Sequence, residues 1–261
     1  MARRSDTDAN GKTPVSTPDE TLRDLLDPRR HKRSDAPLRR AFIQHPDKPK
    51  TPGPLHGFVV ARRELALDLL LLVHCAASAE PWDVALPAMA WARALNLPTT
   101  ASSESTVSKN WSWLEKRNFI HTDRHLRMRR VFLKKEDASG DPYSRNKGEE
   151  RGYFRLPYAY FLDRWHERLS LPAKATLLIC LAQSAQFELR TEHASTWLGL
   201  SPDSLQRGLD ELAESRLLLR RTEFRSAPRA RYGRVGVRVY QLLGPFMYRG
   251  STKTQKKGKA S

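Results

Sequence analysis

The chain repeats itself. The run Leu71 to Ser78 recurs as Leu177 to Ser184, 106 residues further on. Trp91 to Pro98 recurs as Ser195 to Pro202 at an offset of 104, and Val107 to Ile120 aligns with Leu205 to Leu218 at an offset of 98. Three matches in one order require two units built to the same local plan, each of ordinary domain size.

Each match has a helical rhythm. Leu65, Leu69, Leu72 and Ala76 fall on one face of a first helix, and Ala175, Leu178 and Ala182 do so in the second copy. In the second copy a short helix, about Glu192 to Leu198, ends at Gly199, which tolerates the left-handed backbone of a tight turn. Ser201 then serves as N-cap, Pro202 as first helical residue, and Asp203 lies near the positive end of the dipole. The first copy lacks the turn glycine and has a longer turn, Thr99 to Ser103. The third match carries an i, i+4, i+7 stripe: Val107, Trp111 and Leu114, then Leu205, Leu209 and Leu212. The opposite face offers Thr106, Ser108, Lys109 and Ser112 in one copy and Ser204, Gln206, Arg207 and Asp210 in the other. These groups suit hydrogen bonding to base edges or phosphates. Trp113 is expected to pack beneath the first hairpin, the alternative being a place against sugar and phosphate.

A basic, strand-like stretch follows each of these helices. Leu217 to Arg225 and Val235 to Leu243 read as a hairpin, with Val235, Val237 and Val239 alternating with Gly236, Arg238 and Tyr240. Its tip, 226–234, holds Arg229 and Arg231. In the first copy Arg127 to Lys135 reads as one strand and Tyr153 to Leu156 as its partner. The polar loop between them, 136–152, is expected to be mobile.

Charge gives the partner class. The 261 residues hold 46 Lys+Arg against 29 Asp+Glu, a formal charge of +17. Residues 58–135 and 153–243 each carry +5, and the tails carry +4 (1–57) and +5 (244–261). A polyanion is therefore the first partner to consider. Residues 1–57 hold 8 of the 17 prolines and little periodicity, so disorder is expected there, with one short helical piece near Asp19 to Leu26 able to dock on a partner. Residues 246–261 read as a flexible basic tail.

Other chemistry is poorly supported. Two cysteines, Cys75 and Cys180, exclude a disulfide framework and a four-cysteine zinc site, and both lie in the first helices as small core residues. His121-Thr122-Asp123-Arg124 matches the His-x-x-Arg of tyrosine recombinases but falls at the start of a hairpin. Gly11-Lys12-Thr13 lacks the preceding glycine of a phosphate loop. The N-terminus has no apolar signal segment, and the run Leu65 to Ala79 is shorter than the ~20 residues of a membrane span. The expectation is a non-enzymatic cytoplasmic protein, nucleoid-associated, without cofactor or metal.

Helix, turn, helix and basic hairpin, met twice, resemble a tandem winged helix-turn-helix protein. Residues 194–218 look like the helix-turn-helix of bacterial MarR-type regulators, and residues 105–120 like a recognition helix of the same superfamily. The tandem arrangement also resembles plasmid and phage replication initiators. The resemblance implies an α+β fold, mainly α with small β hairpins: a disordered tail over 1–57, winged-helix units over 58–152 and 153–245, and a disordered tail over 246–261. It implies sequence-specific binding of double-stranded DNA by a bacterial transcriptional regulator. A replication initiator and a protein-interaction scaffold are the alternatives, and the Arg-rich basic content hints at a bacterial genome rich in GC. RNA polymerase or a replicative helicase would be the protein partner, a homodimer stays open, and no membrane is involved. The expected DNA contacts are Ser105, Thr106, Ser108, Lys109, Ser112, Arg127, Arg129 and Arg130 in the first unit. In the second they are Ser204, Gln206, Arg207, Arg225, Arg229, Arg231 and Arg234.

Overall fold

The computed structural model describes residues 15–45, 48, 50–125, 128–145, 152–189 and 191–247. Two successive sets of elements follow the repeat. The first comprises α4 (Glu64–Ala76), β2 (Asp83–Leu86), α5 (Ala88–Ala94), α6 (Ala101–Glu115), β3 (Ile120–His125) and β4 (Met128–Leu133). The second comprises α9 (Leu171–Leu181), α10 (Ala194–Leu198), α11 (Pro202–Glu214), β6 (Leu218–Ser226) and β7 (Arg234–Leu242). Ahead of the first set lie α1 (Pro18–Leu25), α2 (Pro28–His31), β1 (Asp35–Arg39) and α3 (Leu55–Val60). Between the sets lie β5 (Tyr153–Pro157), α7 (Ala159–Leu162) and α8 (Trp165–Arg168). The result is a mixed α/β structure with small antiparallel sheets.

Helices α4 and α9 are apolar around most of their circumference, so each lies at the centre of its set rather than on a surface. Every residue from Ala66 to Ala76 is buried, as is every residue of α9 from Ala173 to Cys180. Both cysteines are in these helices. Burial pushes each thiol well above the ordinary range, which keeps it unreactive.

The sheets match as well. In the first set β4 is central, in the order β2-β4-β3. In the second, β6 pairs with β7, and Phe187 exchanges two backbone hydrogen bonds with Tyr240 (3.0 and 2.8 Å) where β2 stands in the first. Asn118 and Arg216, 98 residues apart, both turn the chain through positive φ (62° and 58°) after the third helix. The missing turn glycine of the first copy is replaced by Asn96, with φ 54° against 68° for Gly199. Asn is the residue that best tolerates this conformation after glycine. Thr100 and Ser201 cap α6 and α11, each accepting from a backbone N–H three residues on.

Three expectations are corrected. Within the segment 1–57, residues 15–45 are ordered against the rest of the chain, while 1–14 lie outside the described residues. Thr17 and Glu20 form a capping box that starts α1, and Leu22 and Leu26 are buried against the body formed with α5 and α7. Arg33 donates to the carbonyls of His74, Cys75 and Ala77 at the C-terminal end of α4, and to Tyr158 Oη at 2.8 Å. A cation there satisfies carbonyls that the helix itself cannot. Second, β5 does not pair with the strand of 128–133; it pairs with β1, Ala36 opposite Leu156. Strand β4 is already flanked on both edges, so no edge remains for β5. Third, the loop after β4 is anchored at its start. Glu136 is buried on Arg39 (2.7 Å), and Tyr143 is buried between Arg39, His74 and Trp82. Of this loop only 146–151 lie outside the described residues. Of the expected C-terminal tail, Phe246 is buried, in edge contact with Trp165, and 248–261 lie outside the described residues.

The two sets meet through a buried charge cluster. Lys174 Nζ on α9 donates to Asp68 Oδ2 on α4 at 2.7 Å, and Tyr160 Oη donates to Asp68 Oδ1 at 2.8 Å. Glu64 adds a second carboxylate to Lys174 at 2.7 Å. Asp68 and Lys174 are 106 apart, the offset of the first repeat, so equivalent positions of the two copies touch.

Two buried histidines make stability depend on pH. His74, on α4, has neither ring nitrogen hydrogen-bonded. Burial, with Arg145, Arg39 and Arg33 nearby, pulls its pKa down to about 3; burial holds His166 at about 4. In the unfolded chain both titrate near 6.5, so between these values the unfolded state binds more protons. Their stabilisation is complete above pH 6.5 and is lost as pH falls toward the folded values. Asp68, pushed up to about 6 by burial against the pull of Lys174, acts in the opposite sense and offsets part of this loss. At pH 5 the His74 contribution alone is about 2 kcal/mol. Urea melts at pH 7.5 and 5 should therefore show a smaller acid loss for His74→Leu than for the parent. Equal losses would contradict the assignment.

Candidate nucleic-acid interface

The third helix of each set turns one face to solvent. On α6 the stripe Val107, Trp111 and Leu114 is buried, which leaves Ser105, Ser108, Lys109 and Ser112 outward. These four line an open groove of about 500 Å³ together with Arg63, Trp113 and Lys116. Trp113 does not pack beneath the hairpin. Its ring lies against Phe58 of α3 (5.0 Å between centroids), and the Arg117 and Arg63 guanidiniums stand 4.0 and 5.8 Å from its centroid. The groove is thus lined in part by a ring that two cations approach.

On α11, Leu205, Leu209 and Leu212 are buried, and Gly208 lets the helix approach α9 closely. A second groove, of about 350 Å³, opens between Gln206 and the hairpin residues Arg220, Arg221, Thr222 and Arg238. Arg220 and Arg238 sit on the same face of the hairpin, opposite Tyr240 and Thr222 in the register. Among the described residues, no carboxylate lines either groove. Asp210 stands beside the second one. It accepts from Gln206 (3.0 Å) and pairs with Arg220, which together lower its pKa. This fixes the Gln206 amide in one orientation.

No family model, curated protein or solved structure matches the chain. The site therefore rests on its own geometry.

The expected contact residues divide into three groups. Ser105, Ser108, Lys109, Ser112 and Gln206 are gathered in the two grooves. Arg229, Arg231 and Arg234 are exposed at or next to the tip of the β6–β7 hairpin, and Arg207 is exposed on α11, with only long contacts to Asp203 and Ser204 (3.4 and 3.5 Å). The others are engaged elsewhere. Arg130 is half-buried and paired with Asp83 of β2, and this bond raises its pKa. It braces the sheet rather than facing outward. Arg225 pairs with Glu188 at 2.6 Å, a surface contact worth at most about 1 kcal/mol and easily exchanged for a phosphate. Arg129 is half-buried on β4 between Leu86 and Arg124. The Thr106 hydroxyl donates to the Ser102 carbonyl (2.9 Å), and Ser204 takes the Ser201 hydroxyl (2.8 Å). Arg127 lies outside the described residues.

The sequence reading missed Arg63, Lys116, Arg220, Arg221 and Arg238. For Arg220 and Arg238 a signal existed: the period of two along each strand puts them on one face of the hairpin. For Arg63, which precedes α4, nothing local pointed to the α6 groove.

Among the described residues, no group of three or more His, Cys, Asp or Glu is placed to hold a metal ion. Among the same residues, no helix is long and apolar enough to cross a membrane.

Proposed function

We propose that the chain is a sequence-specific double-stranded DNA-binding protein built from two winged-helix units, acting as a regulator of transcription. One observation carries the reading. The outward face of the third helix borders, in both copies, a groove lined by cations and short polar groups with no carboxylate. A helix fits the major groove of DNA with its polar face on base edges, while adjacent cations meet the phosphates. The β6–β7 hairpin would extend Arg229 and Arg231 to the backbone or minor groove. Two heads on one chain multiply modest affinities when both half-sites are present. Lys174 holds the joint between the copies, and Arg39 and Arg33 are engaged by Glu136 and by the carbonyls at the end of α4, so none of the three is available for DNA.

The test is enrichment of bound sequences from random genomic fragments, followed by titration at several salt concentrations. A defined motif is expected, with affinity falling steeply as salt rises. Arg207→Ala should relax preference at one or two positions, a bidentate contact being worth roughly 1–3 kcal/mol. Arg229→Ala with Arg231→Ala should weaken binding to all sequences and flatten the salt slope by about 2 phosphate contacts. Recovery of no motif would refute specific recognition, and an unchanged slope would remove the hairpin from the interface.

A further inference from the structure

The β6–β7 hairpin exposes more apolar surface than a solvated edge requires. Among the described residues eight large hydrophobic side chains stand exposed, and four of them, Leu219, Phe224, Tyr232 and Val235, are on this hairpin. Phe224 is 66% exposed and Tyr232 76%. A two-stranded ribbon has open edges, and charge alone would guard them against pairing with other chains; exposed rings raise that hazard. A concentration of this kind marks a contact surface.

The rings are already paired with cations. The Arg234 guanidinium stands 4.9 Å from the Phe224 centroid, and that of Arg231 stands 5.4 Å from Tyr232. Gly236 faces Phe224 across the ribbon, and a Cβ there would sit 3.5 Å from the ring, so the ring reaches over β7 at this glycine. From Phe224 to Arg238 the sequence contains five arginines and no acid. The partner must therefore be a polyanion that also presents flat apolar faces. Nucleobases beside their phosphates meet both conditions, since every base has a face on which an aromatic ring can stack. In an intact duplex those faces are covered by neighbouring bases. A ring reaches them only where a step is kinked open or a strand is unpaired.

We propose that the tip of the β6–β7 hairpin stacks Phe224 and Tyr232 on unstacked bases, so that the second unit favours DNA whose strands are locally opened. The proposal rests on the DNA-binding reading and adds to it the state of the DNA. Arg225, Arg229 and Arg231 hold the phosphates on either side, and the two rings take the place of the lost base neighbours.

The experiment compares two probes with the full chain: a fully paired duplex, and the same duplex with a short central bubble carrying 2-aminopurine. The opened probe should bind about tenfold more tightly, with a change in 2-aminopurine fluorescence on binding. The double variant Phe224→Ser, Tyr232→Ser should lose both effects yet bind the paired duplex within about twofold of the parent. Both side chains are largely exposed, so its thermal melt should be unchanged, and circular dichroism checks this. Equal binding of the two probes by the parent, or a bubble preference that survives in the double variant, overturns the stacking while leaving the DNA reading in place. Absence of binding to either probe at low salt overturns both. Binding to anionic lipid vesicles in preference to either probe does the same and assigns the tip to a membrane surface.

Discussion

Lys174→Met is expected to lower folding stability by about 3–5 kcal/mol at pH 7.5. The side chain is 1% exposed and its ammonium lies 2.7 Å from both Asp68 and Glu64. Removing the cation leaves Asp68, itself buried, without a counter-charge in a low-dielectric interior, where the Tyr160 hydroxyl alone cannot compensate. The loss should shrink as pH falls, because Asp68 can then take up a proton. Adding Asp68→Asn removes the stranded charge while keeping an oxygen for Tyr160 to donate to. The double variant should regain at least half of the loss in urea melts. A single variant as stable as the parent would show that the pair contributes nothing. A double variant no better than the single would show that packing, not charge, sets the cost.

Gly208→Ala is expected to cost about 1–3 kcal/mol through overpacking, despite the higher helix propensity of alanine. Gly208 faces α9, and a Cβ there would collide with the Thr176 side chain and lie 2.8 Å from the Pro172 carbonyl. Backbone on one side and a buried hydroxyl on the other leave little freedom to yield. The third helix would be pushed off the first, which moves Gln206 and Arg207 with it. The measurement is a thermal melt alongside DNA affinity. A neutral or stabilising effect would mean that the α9–α11 contact relaxes easily. A useful contrast is Asn110, the position aligned with Gly208 at the offset of 98. It is also buried, but its amide turns back to the Thr106 carbonyl at 2.9 Å. The first copy therefore accommodates a side chain at this point.

What could be read from the residues follows from where the information lies. The repeat and the apolar stripes are local patterns, and the stripes Val107-Trp111-Leu114 and Leu205-Leu209-Leu212 are buried as their spacing predicts. Of the ordered part of the N-terminal segment only the short helix near Asp19 to Leu26 was legible, and its docking on this same chain was not. The segment's apolar anchors Leu22, Leu38 and Phe42 are sparse, and each has partners far along the chain: α5 and α7 for the helix of Leu22, Phe154 opposite Leu38, and Phe119 against Phe42. Strand β2 was missed for a related reason. Four residues, Asp83–Leu86, carry too little pattern to declare a strand, yet they occupy the edge of β4 and engage Arg130. That one omission explains two errors: the partner assigned to β5 and the role assigned to Arg130. In the candidate site the helix faces were legible because one helix presents them. The cations opposite, Arg63 and Arg238, come from other elements, and only the fold brings them there.

The contact between Asp68 and Lys174 also restricts how copies of this chain can associate. Elements that touch through equivalent positions form a self-complementary joint, of the kind that normally joins identical subunits about a two-fold axis. Two first halves meeting in this way would set Asp68 against Asp68, and two second halves Lys174 against Lys174. Both mismatches bury like charges, and only the mixed pairing neutralises them. The face through which such a unit would dimerise is thus already occupied, and by a partner on the same chain. Exchange of halves between two chains would be permitted by this contact, whereas pairing of like with like would be refused.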